Sequence, residues 1–103
     1  KASSAELVAL LENPNGWHRD TASRLLYQRQ DSSVSEALRT LARSSSLAEG
    51  RVGALYSLQG IGTLDEANLL TALVDPAPIV RAHALRLAES MVSGKFQASQ
   101  KLM

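Results

Sequence analysis

The sequence contains no cysteine, and only 4% of its residues are aromatic. Without cysteine, this chain can form no disulfide, no thiolate metal site and no covalent c-type haem attachment. Valine and isoleucine are also few, which argues against a β-sheet. Alanine and leucine fill the apolar positions instead, and they are the apolar residues that favour helices most. The composition therefore predicts helices that pack closely through small side chains.

A large excess of one charge is also missing, because 11 basic and 10 acidic side chains give a net charge of +1. Domains dedicated to nucleic acid usually have a stronger basic excess, so nucleic acid is a disfavoured partner. No apolar stretch approaches the ~20 residues that span a bilayer. We therefore expect no membrane insertion by this segment.

The groups that build catalytic and metal sites are sparse. His18 and His83 are the only histidines, and neither has a cluster of carboxylates beside it. No serine, histidine and aspartate have the spacing expected of a catalytic triad. We interpret both histidines as surface or helix-cap residues. We expect no catalytic site, no metal site and no cofactor in this segment.

Turn-forming residues divide the chain into six short helices. The breaks fall at residues 13–16, 31–33, 44–46, 62, 75–78 and 93–94, where Asn, Pro, Gly, Asp or Ser interrupts the apolar spacing. Ser3 with Glu6, and Thr63 with Glu66, have the spacing of capping boxes. Short linkers predict helical hairpins, over about 3–30, 32–61 and 63–92. Residues 93–103 form a tail or begin another helix, and we expect the chain to be a fragment of a larger protein.

The second helices of the three hairpins share a register marked by Arg19, Arg51 and Arg81, at intervals of 32 and 30 residues. An alanine follows each arginine by three residues, and a small polar residue precedes it by six; these are Ala22, Ala54 and Ala84, and Asn13, Ser45 and Asp75. An acid in the turn could pair with its own arginine or with that of the adjacent repeat. Because only Asp75 is acidic, we expect the stack to depend mainly on Ala and Leu packing.

Residues 75–85, which read DPAPIVRAHAL, resemble the signature of HEAT repeats: an Asp-Pro turn, then Val-Arg, then alanines and a leucine. The period of about 30 residues is similar to that of the short HEAT-like repeats in relatives of phycobilisome lyases. The resemblance implies an all-α fold, an α-α superhelix (a HEAT-like solenoid) of three helical hairpins. It also implies a non-catalytic scaffold whose partner is a protein or a neighbouring domain of the same chain.

A narrower resemblance covers residues 16–26 and 50–58. These segments are similar to a helical part of large planctomycete-type proteins that combine a dehydrogenase-like β-propeller, HEAT repeats and a C-terminal c-type cytochrome domain. The resemblance implies that this chain is one module of a membrane-associated, haem-containing dehydrogenase. It would place the chain in the periplasm or cell envelope.

Summed over the three hairpins, charge separates between the first and the second helices. The second helices sum to +3 and the first helices to −3. Either the second helices present a mildly basic face to nucleic acid or phosphate, or turn and inter-repeat contacts engage their arginines, which we favour. The candidate interaction surface consists of Trp17, His18, Arg24 and Arg86. Trp17 either packs against the first helix, which we also favour, or is an exposed binding anchor.

Overall fold

The structure is a computed structural model that describes residues 3–101, with side chains up to residue 92. It contains six α-helices, and a short 3₁₀ turn (Ser32–Val34) precedes the third of them. The helices are α1 (Ser4–Leu10), α2 (Gly16–Arg29), α3 (Ser35–Ser44), α4 (Ala48–Gly60), α5 (Glu66–Leu73) and α6 (Pro78–Lys101). No strand occurs among the described residues, so the predicted all-α fold is confirmed.

The helices form hairpins that stack side by side in two layers. Each odd-numbered helix packs against the helix that follows it in the chain. Across hairpins, α2 contacts α4 and α4 contacts α6, while α1 contacts α3 and α3 contacts α5. The stack is elongated, with principal extents of 46 × 31 × 22 Å. The second helices therefore form one continuous layer along the molecule.

The hydrophobic core lies between these two layers and consists mainly of leucine and alanine. The largest fully buried side chains are Leu7, Leu11, Leu26, Leu38, Leu55, Leu58 and Val80. Ala22, Ala54 and Ala84 are each 0% exposed. A larger side chain at any of the three would force neighbouring helices apart or strain the packing around it. The repeated alanine thus sets the spacing of the layers.

Side-chain caps fix where several helices begin. Ser3 and Glu6 form the predicted capping box at the start of α1. The box predicted at Thr63 and Glu66 lies two residues further on, where Asp65 caps α5 together with Asn68. The Thr63 hydroxyl instead accepts a hydrogen bond from Ser35 Oγ at 2.8 Å. Thr63 therefore connects the second hairpin to the third rather than starting a helix.

The predicted end of the last helix is wrong. We expected Ser93-Gly94 to terminate it, but α6 continues through both residues to Lys101. One glycine inside a helix costs only about 1 kcal/mol relative to alanine, and the lysine, glutamines and alanine that follow favour helix. Of the predicted tail, residues 102–103 lie outside the described part of the chain. Within that part, no helix combines the length and the apolar character needed to cross a membrane.

Candidate interaction surface

The three register arginines occupy the same structural position, in the first turn of the second helix of each hairpin. Each uses Nη1 to donate a hydrogen bond to the main-chain oxygen of the residue six positions earlier. The oxygens belong to Asn13 for Arg19 (2.9 Å), Ser45 for Arg51 (2.6 Å) and Asp75 for Arg81 (2.7 Å). The last carbonyls of a helix lack partners within it, and a cation there also interacts favourably with the helix dipole. The arginine therefore closes the turn of its own hairpin.

Asp75 adds a contact between hairpins. Its carboxylate accepts two hydrogen bonds from Arg51, at 2.8 Å from Nε and 3.0 Å from Nη2. It also accepts the Ala77 N–H at 2.8 Å. Burial would raise the pKa of Asp75, but the hydrogen bonds from Arg51 and Ala77 and the charges of Arg51 and Arg81 together hold that pKa below its ordinary value. One carboxylate thus orders its own turn and binds the arginine of the preceding repeat.

The corresponding turn of the second hairpin carries Ser45, which has no charge to offer Arg19. Its hydroxyl donates to Glu12 Oε2 at 3.1 Å and accepts the Leu47 N–H at 3.3 Å. The carboxylate–guanidinium contact is therefore complete between the second and third hairpins, and a hydroxyl–carboxylate hydrogen bond takes its place between the first and second.

Sequence reasoning missed a further inter-repeat arginine on the opposite layer. Arg39 of α3 donates through Nη2 to the Thr63 carbonyl at 2.9 Å. Its Nε lies 3.6 Å from Asp65 Oδ2, and its Nη1 lies 2.6 Å from Glu36 Oε1. Arg39 follows no repeated turn motif, so only the position of the loop after α4 identifies its partner.

Two glycines that the sequence did not single out mark the closest approaches between hairpins. A Cβ atom added to Gly50 would lie 3.0 Å from both the Leu11 carbonyl oxygen and Ser45 Oγ. One added to Gly60 would lie 2.9 Å from Tyr27 Cδ1. At Gly53, the nearest atom to such a Cβ is a leucine methyl group at an ordinary 3.5 Å.

The arginines of the second helices are largely engaged in intramolecular contacts. Arg19, Arg51 and Arg81 bind turn oxygens, and Arg29 donates to Ser4 Oγ at 3.4 Å. The remaining two second-helix arginines, Arg24 and Arg86, are exposed. Most of the second-helix arginines therefore contribute to contacts within the fold rather than lining a basic groove.

A groove of about 270 Å³ crosses the layer of second helices. Its walls comprise Arg19, Asp20, Ser23, Glu49, Val52, Gly53, Tyr56 and Ile79. The carboxylates of Asp20 and Glu49 are exposed, and 44% of Ile79 is exposed. Arg19 also lines the groove, with its Nη1 bound to turn carbonyls, so the groove combines apolar side chains with two exposed carboxylates and one guanidinium group.

Trp17 does not pack against the first helix, and our preferred interpretation of it is wrong. It is 68% exposed, and its ring meets His18 edge-on with centroids 5.1 Å apart. Trp17 precedes Arg19 by two residues, just as Glu49 precedes Arg51 and Ile79 precedes Arg81. These three residues therefore occupy one register position along the stack, and all three are exposed.

The second histidine joins two hairpins. His83 Nδ1 and the Tyr56 hydroxyl lie 2.9 Å apart, and the two rings are perpendicular with centroids 5.4 Å apart. Across the described residues, no group of three or more histidine, aspartate or glutamate side chains is placed to hold a metal ion.

This arrangement of stacked helical hairpins defines an α-helical repeat protein, in which each unit contacts its neighbours. A family model described as HEAT repeats matches residues 4–89. The chain therefore belongs to the HEAT-repeat family, whose members are typically non-catalytic and generally mediate protein interactions as scaffolds. No curated protein and no solved structure matches the chain.

Proposed function

We propose that this chain is a non-catalytic scaffold module whose second-helix groove binds a segment of a partner protein or of a neighbouring domain. The observation that carries the proposal is the chemistry of the groove. Val52, Tyr56 and Ile79 offer apolar contact, while Asp20 and Glu49 place two exposed carboxylates at the rim. A partner segment with apolar side chains and one or two lysines or arginines complements such a surface.

Nucleic-acid or phosphate binding on the second-helix face is the alternative function. It requires a dense row of cations that replaces the counterions of phosphate groups, and usually aromatic residues that stack on bases. Four of the six second-helix arginines already have intramolecular hydrogen bonds, and the groove between them is rimmed by carboxylates. We therefore expect no DNA or RNA binding at physiological salt. Binding whose logarithm falls steeply with the logarithm of salt concentration would overturn this preference.

Site-specific photocross-linking in the source cells tests the groove. A photoreactive amino acid at position 79 lies in the groove, and one at Ala37 of α3 is an exposed control outside it. We expect a discrete protein adduct from position 79 and none from position 37. Reversing the rim charge with Asp20→Lys and Glu49→Lys should abolish the adduct without lowering the helix content. A nucleic-acid adduct, or an adduct that survives the charge reversal, would contradict the proposal.

The larger context that we propose for this module is the haem-containing dehydrogenase. Its support is the similarity of residues 16–26 and 50–58 to a helical part of such proteins. The test is the natural full-length protein: it should contain a Cys-x-x-Cys-His motif and show covalently attached haem on a denaturing gel. A full-length protein without that motif would remove this context and leave the scaffold proposal unaffected.

A further inference from the structure

The outer face of the third hairpin has an exposed apolar groove of about 180 Å³ between α5 and α6. The lining consists of Leu69 and Leu70 of α5, with Glu66 at the start of that helix, and of Ala88, Met91 and Val92 of α6. Leu70 is 65% exposed and Val92 is 68% exposed. Leu85, Ala88 and Val92 follow one another at helical spacing, so they form a single stripe along α6.

The second hairpin shows what such a face looks like when a repeat is packed on it. Leu55 and Leu85 both stand four residues after their register arginine. Leu55, with the third hairpin beside it, is 0% exposed, whereas Leu85 is 56% exposed. The end of the stack therefore exposes a leucine at a position that the preceding repeat keeps buried.

Like Leu85, Arg81 lacks, within the described part of the chain, a contact that its equivalent in the second hairpin, Arg51, makes with the next hairpin. Arg51 uses Nη1 for its own turn and directs Nε and Nη2 to the carboxylate of the next hairpin. Arg81 makes the same turn contact through Nη1, but among the described residues its Nε and Nη2 have no hydrogen bond, and the residue is exposed. Half of the guanidinium is thus engaged as in Arg51, and the half that binds a following carboxylate is available.

The opposite end of the stack does not complement this face. The turn of the first hairpin carries Asn13, whose neutral amide cannot form the ion pair. The second hairpin approaches the first through three small residues, Gly50, Gly53 and Gly60. At the same register positions the first hairpin has larger polar residues, namely His18, Thr21 and Gln28. A polar outer face is typical of a terminal repeat, so a second copy of this chain is a poor occupant.

We propose that the outer face of the third hairpin is a repeat interface for another helical hairpin, one with a carboxylate in the turn before its second helix that pairs with Arg81. The stripe of Leu85, Ala88 and Val92 packs against that hairpin. This interface is independent of the second-helix groove, because it lies at the end of the stack rather than along it.

An internal duplication tests the Arg81 and Leu85 contacts of the proposal. Residues 61–90 are repeated once directly after residue 90, and residues 91–103 follow, so the first copy keeps Leu85 and Ala88 of the stripe while Val92 stands only after the second copy. The Asp75 of the second copy then lies 24 residues after the first-copy Arg81, the same separation as that between Arg51 and Asp75. We expect one cooperative urea transition, with more helical circular dichroism per molecule than the natural chain.

A double-mutant cycle then isolates the Arg81 contact. Arg81→Gln in the first copy should raise the unfolding equilibrium constant about tenfold more when the second copy carries Asp75 than when it carries Asp75→Asn. Arg81→Gln in the second copy is the matched control, because no turn follows it, and it should show no such coupling. Leu85→Gln should likewise destabilise the first copy far more than the second.

Three results would overturn the proposal. One is an equal effect of the first-copy Arg81→Gln with and without the acid. Another is an equal effect of Leu85→Gln in the two copies. The third is a duplicated hairpin that adds no helix or unfolds in a separate transition below that of the natural chain.

Discussion

Arg51 and Asp75 form a two-pronged ion pair between neighbouring repeats, with Nε to Oδ2 at 2.8 Å and Nη2 to Oδ1 at 3.0 Å. Their side chains are 13% and 8% exposed, respectively. Within its own repeat, Asp75 gives Arg81 a carbonyl oxygen instead of the carboxylate. The carboxylate of Asp75 thus binds the arginine of the preceding repeat, and its carbonyl oxygen binds the arginine of its own repeat. This division allows one residue to order a turn and join two hairpins.

Asp75→Asn should destabilise the fold by about 3 kcal/mol, because it leaves the Arg51 guanidinium partly buried without its counter-charge. The asparagine can still accept the Ala77 N–H, so the loss reports mainly the ion pair. Glu36→Gln is the control, since it breaks a pair with Arg39 in which Glu36 is 82% exposed. That change should cost less than about 1 kcal/mol. Urea unfolding at neutral pH measures both values. Equal losses of stability would contradict the expectation that the buried Arg51–Asp75 pair contributes more than the exposed Glu36–Arg39 pair.

The stability contributed by Asp75 should also depend on pH. The pKa of Asp75 is lowered in the folded protein from its ordinary value of 3.8. A lowered folded pKa means that the contribution is fully present above the unfolded value and is lost as pH falls through the folded value. The difference in unfolding free energy between the natural chain and Asp75→Asn should therefore be constant at neutral pH and shrink below about pH 4. A difference that stays constant down to pH 2 would show that the carboxylate is not the titrating group.

The helical hairpins could be predicted from the sequence because their signals are local. Proline, glycine and capping residues break the chain at regular intervals, and leucine and alanine keep helical spacing between the breaks. Local signals fail where two different pairs of residues both have the spacing of a capping box. Thr63 with Glu66 and Asp65 with Asn68 both have capping-box spacing, and the choice of Asp65 leaves Thr63 available to Ser35 of the neighbouring hairpin.

Contacts between repeats could be predicted less well, because they depend on which side chains the neighbouring hairpin places opposite them. The sequence left open whether Asp75 pairs with Arg81 or with Arg51, and the packing of α4 beside α6 decides for Arg51. Burial of Trp17 likewise depends on a neighbouring surface of α1, and in the structure 68% of Trp17 is exposed. The chemistry of the groove is a property of three helices together, so no single segment indicates it.

Substitutions at two glycines of the same helix should have opposite signs. Alanine is favoured over glycine in a helix by about 1 kcal/mol. At Gly53 the new methyl group meets a leucine methyl at 3.5 Å, so Gly53→Ala should stabilise by about 0.5–1 kcal/mol. At Gly50 it meets the main-chain oxygen of Leu11 at 3.0 Å, which cannot move without displacing α1, so Gly50→Ala should destabilise by about 1–2 kcal/mol. Thermal unfolding of the two variants checks this, and stabilisation by both would mean that the hairpins are more loosely packed.

The exposure of Trp17 can be checked directly because it is the only tryptophan. With 68% of its surface in contact with solvent, its fluorescence maximum should already be close to that of the urea-unfolded chain. Acrylamide should quench it almost as efficiently in the native state as in the unfolded state. Trp17→Ala should change the unfolding free energy by less than about 0.5 kcal/mol, as is usual for surface positions. A blue-shifted, poorly quenched tryptophan would instead place its ring against α1. In that case truncation at position 17 would cost several times more.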